Sequence, residues 1–411
     1  MDHVRGDTLE QPEFGRRLRS LRSAHGLSQA QLAGPGMSTA YLSRLESGAR
    51  PPTARAVAYL CAQLSVPASA FRKTDPHPLA HVLACTASGP ESEESAQRLL
   101  DVYTREQDAD PALRWHALWV LARWQEIHAE TETHLMSLRT LVELSDQIGL
   151  PDLRARARVA MARAQRSGGR DLRSAGLAAR EALEIAESHG HSHTEIVQAL
   201  LVLISIEAET GSLADADTHT DRLNALITDV SSSLRVEALW TMASLRVRQG
   251  RHSEGAPLLE RAMDELGSTD NLRLWTRLRL AAASLYLQMT PRDLSQAARH
   301  LEEARPAVDL IGVPLHSHEH CALRARLAFY QGDVDLARTL CASVALAPGH
   351  LAFRDQIRHE LLLCQLRIID GDRSAIADIE ALTHRSGEAA NTELTAEIWR
   401  SLAEVLARAD A

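Results

Sequence analysis

The sequence predicts an all-α protein made of a compact five-helix head and a long solenoid of helix pairs. Three observations carry this prediction. Aromatic residues make up only 4% of the 411 residues, which disfavours a β-sandwich or barrel. From residue 96 onward almost every segment has helical periodicity, as in LRWHALWVLARWQ. Turn glycines then recur about every 40 residues, which is the period of a two-helix repeat.

Composition narrows the class of protein further. Charged residues make up 24% and hydrophobic residues 45% of the chain, as in ordinary globular proteins. No apolar run reaches about 18 residues and the N-terminus has no apolar signal region, so we expect a cytoplasmic protein with no membrane span. The five cysteines are scattered and odd in number, which indicates reduced thiols rather than a disulfide framework.

Charge is distributed unevenly along the chain. The net charge is −9, which argues against a wholly basic nucleic-acid coat protein. Residues 1–75 nevertheless carry ten Lys and Arg against six Asp and Glu, and the remainder carries 35 against 48. A basic head on an acidic body is the asymmetry expected when only the head meets phosphate, although an excess of this size also arises by chance.

The head begins with two helices joined by a tight turn. The first is predicted over Glu13 to His25, with an apolar face and four Arg around the rest, and Gly26 ends it. The second begins at Ser28, where Ser28-Gln29-Ala30-Gln31 forms a capping box. The segment Gly34-Pro35-Gly36 then breaks the chain.

Three further helices complete the head. Ser38 is predicted to cap a third helix over Thr39 to Ser47, which Gly48 ends. Thr53 is predicted to cap a fourth helix that runs to Leu64, and a last short helix ends near Phe71. Two short helices around a Gly-containing turn, inside a five-helix package, are the helix-turn-helix arrangement that binds DNA.

The head resembles the Cro/phage-repressor (Xre) family. The resemblance lies in FGRRLRSLRSAHGLSQAQLA and MSTAYLSRLESGARPPT, which hold the family's motifs in order over about 60 residues. It implies that Gln29, Arg17 and Arg50 contact backbone phosphates. It also implies that the third helix reads base edges and that Leu45 and Glu46 are structural. The base-reading candidates are Thr39, Ala40, Tyr41, Ser43 and Arg44.

One feature of the head departs from the family pattern. The turn LAGPGMS is about one residue shorter than usual and carries Pro35, a change that bears on the tilt of the third helix. The sequence therefore leaves open which side chains of that helix reach bases, and Thr39 and Ser43 fit equally well as plain surface residues.

The sequence predicts four regions. Residues 1–12 are expected to be disordered, 13–72 to form the helix-turn-helix domain, 73–95 to form a linker rich in Pro, Ser and Glu, and 96–411 to form the repeat array. The segment LAHVLA within the linker is compatible with a short helix.

The repeat array is predicted to hold about seven helix pairs. Turn glycines occur at Gly168, Gly211, Gly250, Gly332 and Gly371. The turn that the repeat period expects between Gly250 and Gly332 falls at Thr290-Pro291, which has no glycine. The array resembles tetratricopeptide (TPR) repeats lengthened beyond their usual size. Such repeats stack to bury their apolar faces, and the resemblance implies a concave surface lined by the first helix of each pair.

Alignment of each turn glycine with the TPR pattern gives candidates for that concave surface, and the alternative for each is an ordinary exposed or packing position. The candidates are Gln198, Ser205, Trp240, Ser244, Arg277, Ser284, Arg326, Arg358 and Gln365. Because the body is otherwise acidic, we expect Arg326 or Arg358 to pair with an acidic group of a ligand.

No catalytic or cofactor-binding pattern occurs in the sequence. The chain has no phosphate-binding loop, dinucleotide fingerprint, zinc-protease motif or nucleophile elbow, so no enzyme, cofactor or metal is predicted. Histidine triplets at 189–193 and 316–320 alternate as metal ligands do on extended chain, but the prediction favours polar filler between repeats. Cys341 and Cys364 stand in apolar company and are predicted to be core residues.

The combined architecture resembles bacterial regulators that join an Xre-type head to a TPR body. The resemblance implies a homodimer that binds double-stranded DNA and senses a short peptide or a small molecule in the repeat groove. The alternative is a TPR scaffold for protein interactions with a vestigial head, and the shortened turn is its best support. An enzyme regulated by its repeats is disfavoured because no catalytic constellation is present.

Overall fold

The computed structural model describes residues 11–71, 78–89, 92–128, 130–169, 172–188, 193–345 and 351–409. Within these ranges the secondary structure is α-helix with two short 3-10 turns and no strand, which confirms the all-α prediction. The chain divides into two compact units, Met1–Ala84 and Cys85–Ala411. The predicted disorder of residues 1–10 lies outside the described residues.

The first unit holds the predicted head. Its helices are α1 (Glu13–Ala24), α2 (Gln29–Leu32), α3 (Thr39–Glu46) and α4 (Ala54–Leu64), followed by a 3-10 turn (Ala68–Phe71). Helix α5 (Pro78–Ser88) spans the boundary between the units and lies within the segment predicted as a linker. It contains the sequence LAHVLA, and residues 73–77 and 90–91 of that segment lie outside the described residues.

Side-chain caps fix the start of each short helix in the head. Ser28 and Gln31 form the predicted capping box at α2, and the Ser38 hydroxyl accepts from the backbone N–H of Tyr41 at 3.2 Å. Thr53 caps α4 in the same way. The caps satisfy N–H groups that have no partner within the helix, so a helix of four residues such as α2 begins at a defined position.

The head has one apolar core, to which all of its helices contribute. Phe14 and Leu18 of α1 meet Leu42 and Leu45 of α3, and all four side chains are fully buried. Phe71 closes the core with its ring centroid 5.3 Å from that of Phe14. The buried residues of α1, α3 and α4 thus recur at helical spacing along the sequence.

The second unit is an array of paired helices. After α6 (Glu93–Arg105), the pairs are α7 (Pro111–Ile127) with α8 (Thr131–Ile148), α9 (Pro151–Gly168) with α10 (Leu172–Ser188), α11 (His193–Thr210) with α12 (Leu213–Leu226), α13 (Ser232–Arg248) with α14 (His252–Asp264), α15 (Leu272–Gln288) with α16 (Leu294–Ile311), α17 (Pro314–Gln331) with α18 (Val334–Ala345), and α19 (Phe353–Ile369) with α20 (Ala375–Glu388). Helix α21 (Thr392–Ala409) follows. These seven pairs within the described residues match the predicted repeat number.

The turns inside the pairs fall where the glycine spacing predicts them. Gly211, Gly250, Gly332 and Gly371 have φ of 86°, 73°, 87° and 88°, and Thr290-Pro291 lies in the turn between α15 and α16. The first turn differs by one residue, because Gly168 is the last residue of α9 and Gly169 has the positive φ of 62°. Left-handed backbone at this position favours glycine.

The array closes on itself, which the sequence does not predict. Helix α19 contacts α9, and α21 packs against both α11 and α19. The backbone N–H of Leu172 donates to the carbonyl of Ala389 at 3.4 Å across this junction. The expected open concave surface is therefore partly covered by the last helices of the chain.

Gly169 lies against Phe353 at this closure, with no room for a side chain. A Cβ atom there would lie 1.9 Å from the ring of Phe353 at the start of α19. We therefore expect Gly169→Ala to destabilise the second unit by about 1–3 kcal/mol, since it adds both an overpacked methyl and a left-handed alanine. Urea denaturation followed by circular dichroism measures the change.

Gly168→Ala is the matched control, because a Cβ atom at Gly168 meets nothing within 4 Å. The control should be neutral or more stable by up to about 1 kcal/mol, as alanine is favoured over glycine in a helix. Equal stability of the two variants would contradict the tight contact between α19 and α9.

Candidate functional site

A buried carboxylate joins the three helices that carry the predicted DNA-binding residues. Glu46, at the end of α3, is 9% exposed. It accepts hydrogen bonds from Arg22 Nε at 2.6 Å, Arg22 Nη2 at 3.0 Å and Gln29 Nε2 at 2.7 Å. Burial raises the pKa of Glu46, but these hydrogen bonds outweigh it and the pKa lies below its usual range. The carboxylate therefore stays ionised and holds α1 and α2 against α3.

The short turn before α3 is closed by two backbone hydrogen bonds. Gly34 and Met37 exchange N–H to carbonyl bonds of 3.0 and 2.9 Å around Pro35 and Gly36, whose φ is 91°. Met37 is buried, and the Tyr59 hydroxyl donates to the carbonyl of Leu32 at 3.1 Å beside the turn. Proline followed by a glycine with positive φ is the pattern of a type II turn. The missing residue is thus accommodated by a tight, well-bonded turn.

Helix α3 turns one face to solvent and the opposite face to the core. Four of the predicted base-reading residues are exposed on it, namely Thr39, Ala40, Ser43 and Arg44. At 100° per residue they fall within a 140° arc opposite Leu42 and Leu45. The fifth, Tyr41, is half-buried against the core and has the Arg50 guanidinium 5.0 Å from its ring centroid.

Two of the three predicted phosphate contacts are exposed and the third is half-buried. Arg17 is exposed on α1 and Arg50 is exposed after α3. Gln29 is half-buried at the start of α2, and one N–H of its amide donates to Glu46. Since a side-chain amide has two such donors, Gln29 keeps one for another acceptor.

The second unit contains a groove on the inner side of the array. A cavity of about 350 Å³ is lined by the first helices of all seven pairs, as the repeat pattern predicts. Six of the nine predicted groove residues line it, namely Ser205, Trp240, Ser244, Arg277, Ser284 and Arg358. Arg277 lies over the ring of Trp240 with its guanidinium carbon 5.6 Å from the centroid, so an aromatic face and a cation are presented together.

The structure places the other three predicted residues elsewhere. Gln365 is 3% exposed and donates to the carbonyl of Ser401 at 3.3 Å, because α21 packs over that part of α19. Arg326 lines a second cavity beside α21, and Gln198 is half-buried and lines neither cavity.

Arg326 and Arg358, which we expect to meet an acidic ligand, both face an acid of their own chain. Arg358 donates to Glu397 on α21 through Nε at 2.9 Å and through Nη2 at 2.6 Å. Arg326 Nη2 lies 3.5 Å from the same carboxylate. Burial raises the pKa of Glu397, but these cations outweigh it and lower it to about 2.

Glu209 is the centre of the polar floor of the groove, and sequence analysis misses it. Its Oε1 lies 2.7 Å from Arg166 Nη2, 3.0 Å from Arg354 Nη1 and 3.7 Å from Arg248 Nη2. Its side chain has no exposed area, and burial alone raises its pKa, but the three guanidiniums lower the pKa to about 2. One carboxylate thus links α9, α11, α13 and α19.

A signal for Glu209 is present in the sequence. In four successive helix pairs, one polar residue stands two positions before the turn. These residues are Arg166 before Gly168, Glu209 before Gly211, Arg248 before Gly250 and Gln288 before Thr290. Stacked repeats bring equivalent positions together, so alternating charge at one repeat position predicts a ladder of ion pairs across the groove.

The side chain of Glu319, which lines the groove, is protonated at neutral pH. Burial and the neighbouring carboxylate of Asp355 raise the pKa of Glu319 to about 8, against the opposing effect of Arg277. Nearby, burial and the cations Arg277 and Arg273 lower the pKa of His316 to about 4. Both side chains are therefore largely neutral at pH 7, and of the two Glu319 lines the groove together with the Arg277 cation.

The histidine triplets and two of the cysteines lie outside both cavities in the described part of the chain. His316, His318 and His320 lie on the helix α17 rather than on extended chain, and no group of three or more metal-ligand residues occurs among the described residues. Of the other triplet, only His193 is described. Burial raises the pKa of Cys341 to about 12 and that of Cys364 to about 11, which keeps both as thiols.

No described helix is long and apolar enough to span a membrane.

Comparison with known protein families identifies the kind of domain that the head forms. Residues 13–71 match the family model of a helix-turn-helix domain. No curated protein matches the sequence. The head predicted from the caps and the turn is therefore confirmed as a helix-turn-helix domain.

Several solved structures match the chain. A Rap protein complexed with Competence and Sporulation Factor is 10% identical with a TM-score of 0.52, over 97% of this chain and 96% of that chain. Bacillus thuringiensis PlcR in complex with the peptide PapR7 and DNA is 14% identical with a TM-score of 0.42, over 75% and 98%. ComR from S. thermophilus in complex with DNA and its signalling peptide ComS is 12% identical with a TM-score of 0.37, over 66% and 99%. The likeness to the Rap protein confirms the solenoid fold.

The low pKa of Glu209 predicts an acid-sensitive fold. The unfolded state binds a proton below a pKa of about 4.5, while the folded state resists protonation down to about 2. Stability from Glu209 is therefore present above pH 4.5 and is lost as the pH falls towards 2, by about 3 kcal/mol. Urea denaturation at a series of pH values measures this loss.

Two variants isolate this effect. Glu209→Gln leaves three guanidiniums facing a neutral amide, so we expect a loss of about 3–5 kcal/mol at pH 7 and a flatter profile between pH 2 and 4.5. Glu94→Gln is the control, because Glu94 is 82% exposed in its ion pair with Arg98 and such pairs contribute below about 1 kcal/mol. A Glu209→Gln profile parallel to that of the wild type would exclude Glu209 as the titrating group.

Proposed function

We propose that the protein is a sequence-specific DNA-binding transcriptional regulator that senses a ligand in its repeat groove. The observation that carries this proposal is the exposed face of α3, which a buried ion pair and a closed turn hold on a helix-turn-helix head. The second unit offers a groove lined by consecutive repeats, which suits an extended ligand. A Rap protein of the same fold binds Competence and Sporulation Factor, which fits such a role.

Arg44 is the proposed base-reading residue, and Arg17 and Arg50 are proposed phosphate contacts. Arg44 is exposed midway along α3, the helix that enters the major groove in this arrangement. A guanidinium bonds two acceptors of guanine at once, which gives discrimination between bases. Arg17 lies on α1, and the helix that crosses the DNA backbone meets phosphate rather than base edges. Thr39, Ala40 and Ser43 complete the proposed reading face.

A short peptide is the proposed ligand of the groove. Its floor alternates Arg and Glu along the repeats, while Trp240, Leu201 and Leu285 add apolar surface. A peptide backbone needs both donors and acceptors, and its side chains need apolar contacts. Many of the Xre-type regulators with TPR bodies that the architecture resembles bind short peptides in their grooves.

A homodimer is the proposed functional form, and the ligand is proposed to shift it between two arrangements of which one spaces the heads for DNA. Paired heads read half-sites about 34 Å apart, one helical turn of DNA. Sedimentation velocity of the protein alone and on its selected DNA measures this, and a strict monomer in both conditions would exclude it.

Substitutions in the head separate reading from positioning. Arg44→Ala should weaken binding to a DNA sequence selected by the protein by about 1–3 kcal/mol and weaken random DNA less. Arg17→Ala should weaken both equally and lower the slope of log affinity against log salt by about one. Fluorescence anisotropy with labelled duplexes at several salt concentrations measures both.

The control removes an Arg from the other unit. Arg105 is 74% exposed on α6, and Arg105→Ala should leave DNA binding unchanged. If Arg44→Ala weakens selected and random DNA by the same factor, Arg44 contacts phosphate instead. If the wild type selects no sequence at all, the head is vestigial and the scaffold reading holds.

Substitutions in the groove test the ligand class. Heptapeptides are selected from a random library on the full chain, and their affinities are measured by anisotropy. Trp240→Ala and Arg277→Ala should weaken the selected peptides by about tenfold, since each removes a partner from the groove wall.

Trp399→Ala is the matched control, because Trp399 is 48% exposed on α21 and lines neither cavity. Peptides that bind the Trp240 and Arg277 variants as tightly as the wild type would place their site outside the groove.

A further inference from the structure

A second cavity lies beside α21, and its lining shares only Arg248 and Gln288 with that of the proposed peptide groove. Its volume is about 490 Å³, within the range of small-molecule sites. One wall is α21, and the other walls are the C-terminal ends of α11, α13, α15 and α17 with the turns that follow α11, α13 and α15. Four Arg line it, in a chain whose net charge is −9, namely Arg248, Arg292, Arg326 and Arg400.

The carboxylates that line the cavity are already bound by Arg of α19. Glu393 accepts from Arg354, and Glu397 accepts from Arg358 at 2.6 Å. The Arg of the cavity wall meet the same acids only at longer range, with Arg326 Nη2 3.5 Å from Glu397 and Arg248 Nε 3.8 Å from Glu393. Positive charge is therefore in excess on the cavity side.

Three guanidinium N–H groups at this wall have no hydrogen-bond acceptor. They are Arg248 Nε, Arg292 Nε and Arg326 Nη1, each of them buried. Arg326 is only 6% exposed, and the side chain of Arg248 is 10% exposed. A buried donor without an acceptor costs free energy, and more so on a charged group. Arg292 is held in place by Glu404 at 2.7 Å and by the ring of Tyr330.

Arg248 stays charged despite its burial. Burial and the neighbouring cation of Arg354 lower the pKa of Arg248 to about 10, which still leaves it protonated at neutral pH. Arg400 is exposed on α21 and has no ion pair among the described residues. The wall thus offers both deep and accessible positive charge.

We propose that this cavity binds a small oxyanion-bearing molecule, whose carboxylate or phosphate oxygens accept hydrogen bonds from Arg326 and Arg248. Arg292 and Arg400 add positive charge around it, and Val247, Leu287 and Tyr330 supply apolar surface for the rest of the molecule. Such a ligand provides the acceptors that the three N–H groups lack. The site does not depend on the proposed peptide or on DNA binding.

The test uses the full-length protein and two oxyanions, inorganic phosphate and citrate. Isothermal titration calorimetry is carried out at constant ionic strength with chloride as the background anion. We expect one site per chain for at least one of the two, and its identity distinguishes a phosphate from a carboxylate ligand. Neither oxyanion binding above the chloride background would overturn the proposal.

Four variants locate the site. Arg326→Gln should weaken the bound oxyanion by about tenfold, and Arg400→Gln, at an exposed position where folding is not at risk, by about threefold. Arg408→Gln, exposed on the same helix outside the cavity, and Arg277→Gln, which lines only the peptide groove, should bind as the wild type does. Unchanged binding in Arg400→Gln and Arg326→Gln, or equal loss in all four, would place the anion elsewhere.

Discussion

The burial of the Glu209 carboxylate is the constraint on which the repeat unit depends. An ionised carboxylate without exposed area is tolerated only when cations replace its water, and here Arg166, Arg248 and Arg354 all meet one of its oxygens. Two of these Arg come from neighbouring repeats and the third from α19, far along the chain. The pairing therefore fixes the closure of the array, and Arg248 of this cluster lines both the groove and the cavity beside α21.

The head also contains a buried carboxylate that needs polar partners. Glu46 is buried at the end of α3 and is held by Arg22 of α1 and Gln29 of α2. A four-residue helix such as α2 has little stability of its own. Its position relative to α3 comes from this carboxylate, from the capping box at Ser28 and from the paired hydrogen bonds of the Gly34–Met37 turn. In both units, buried polar contacts set the geometry while apolar packing supplies most of the stability.

Local features of the structure could be predicted from the sequence, because they depend on residues close together in the chain. The caps at Ser28, Ser38 and Thr53 and the turn at Gly211 are examples. Six of the nine groove candidates line the cavity between the first helices, because alignment on the turn glycines selects equivalent positions of successive repeats. The positions of Gln365 and Arg326 outside the groove could not be predicted, because helix α21 sets their surroundings. No local pattern shows which repeat the last helix of the chain will cover.

The contact of α19 with α9 gives the array a property that open solenoids lack. Repeats that touch only their neighbours are gained and lost in evolution by duplication and deletion, since each new unit finds the same interface. Here Phe353 meets Gly169 across more than four intervening repeats. One repeat more or fewer would move Phe353 off that position and Arg354 away from Glu209. The number of repeats is thus fixed by geometry, and such a chain diversifies by substitution within its repeats rather than by a change in their number.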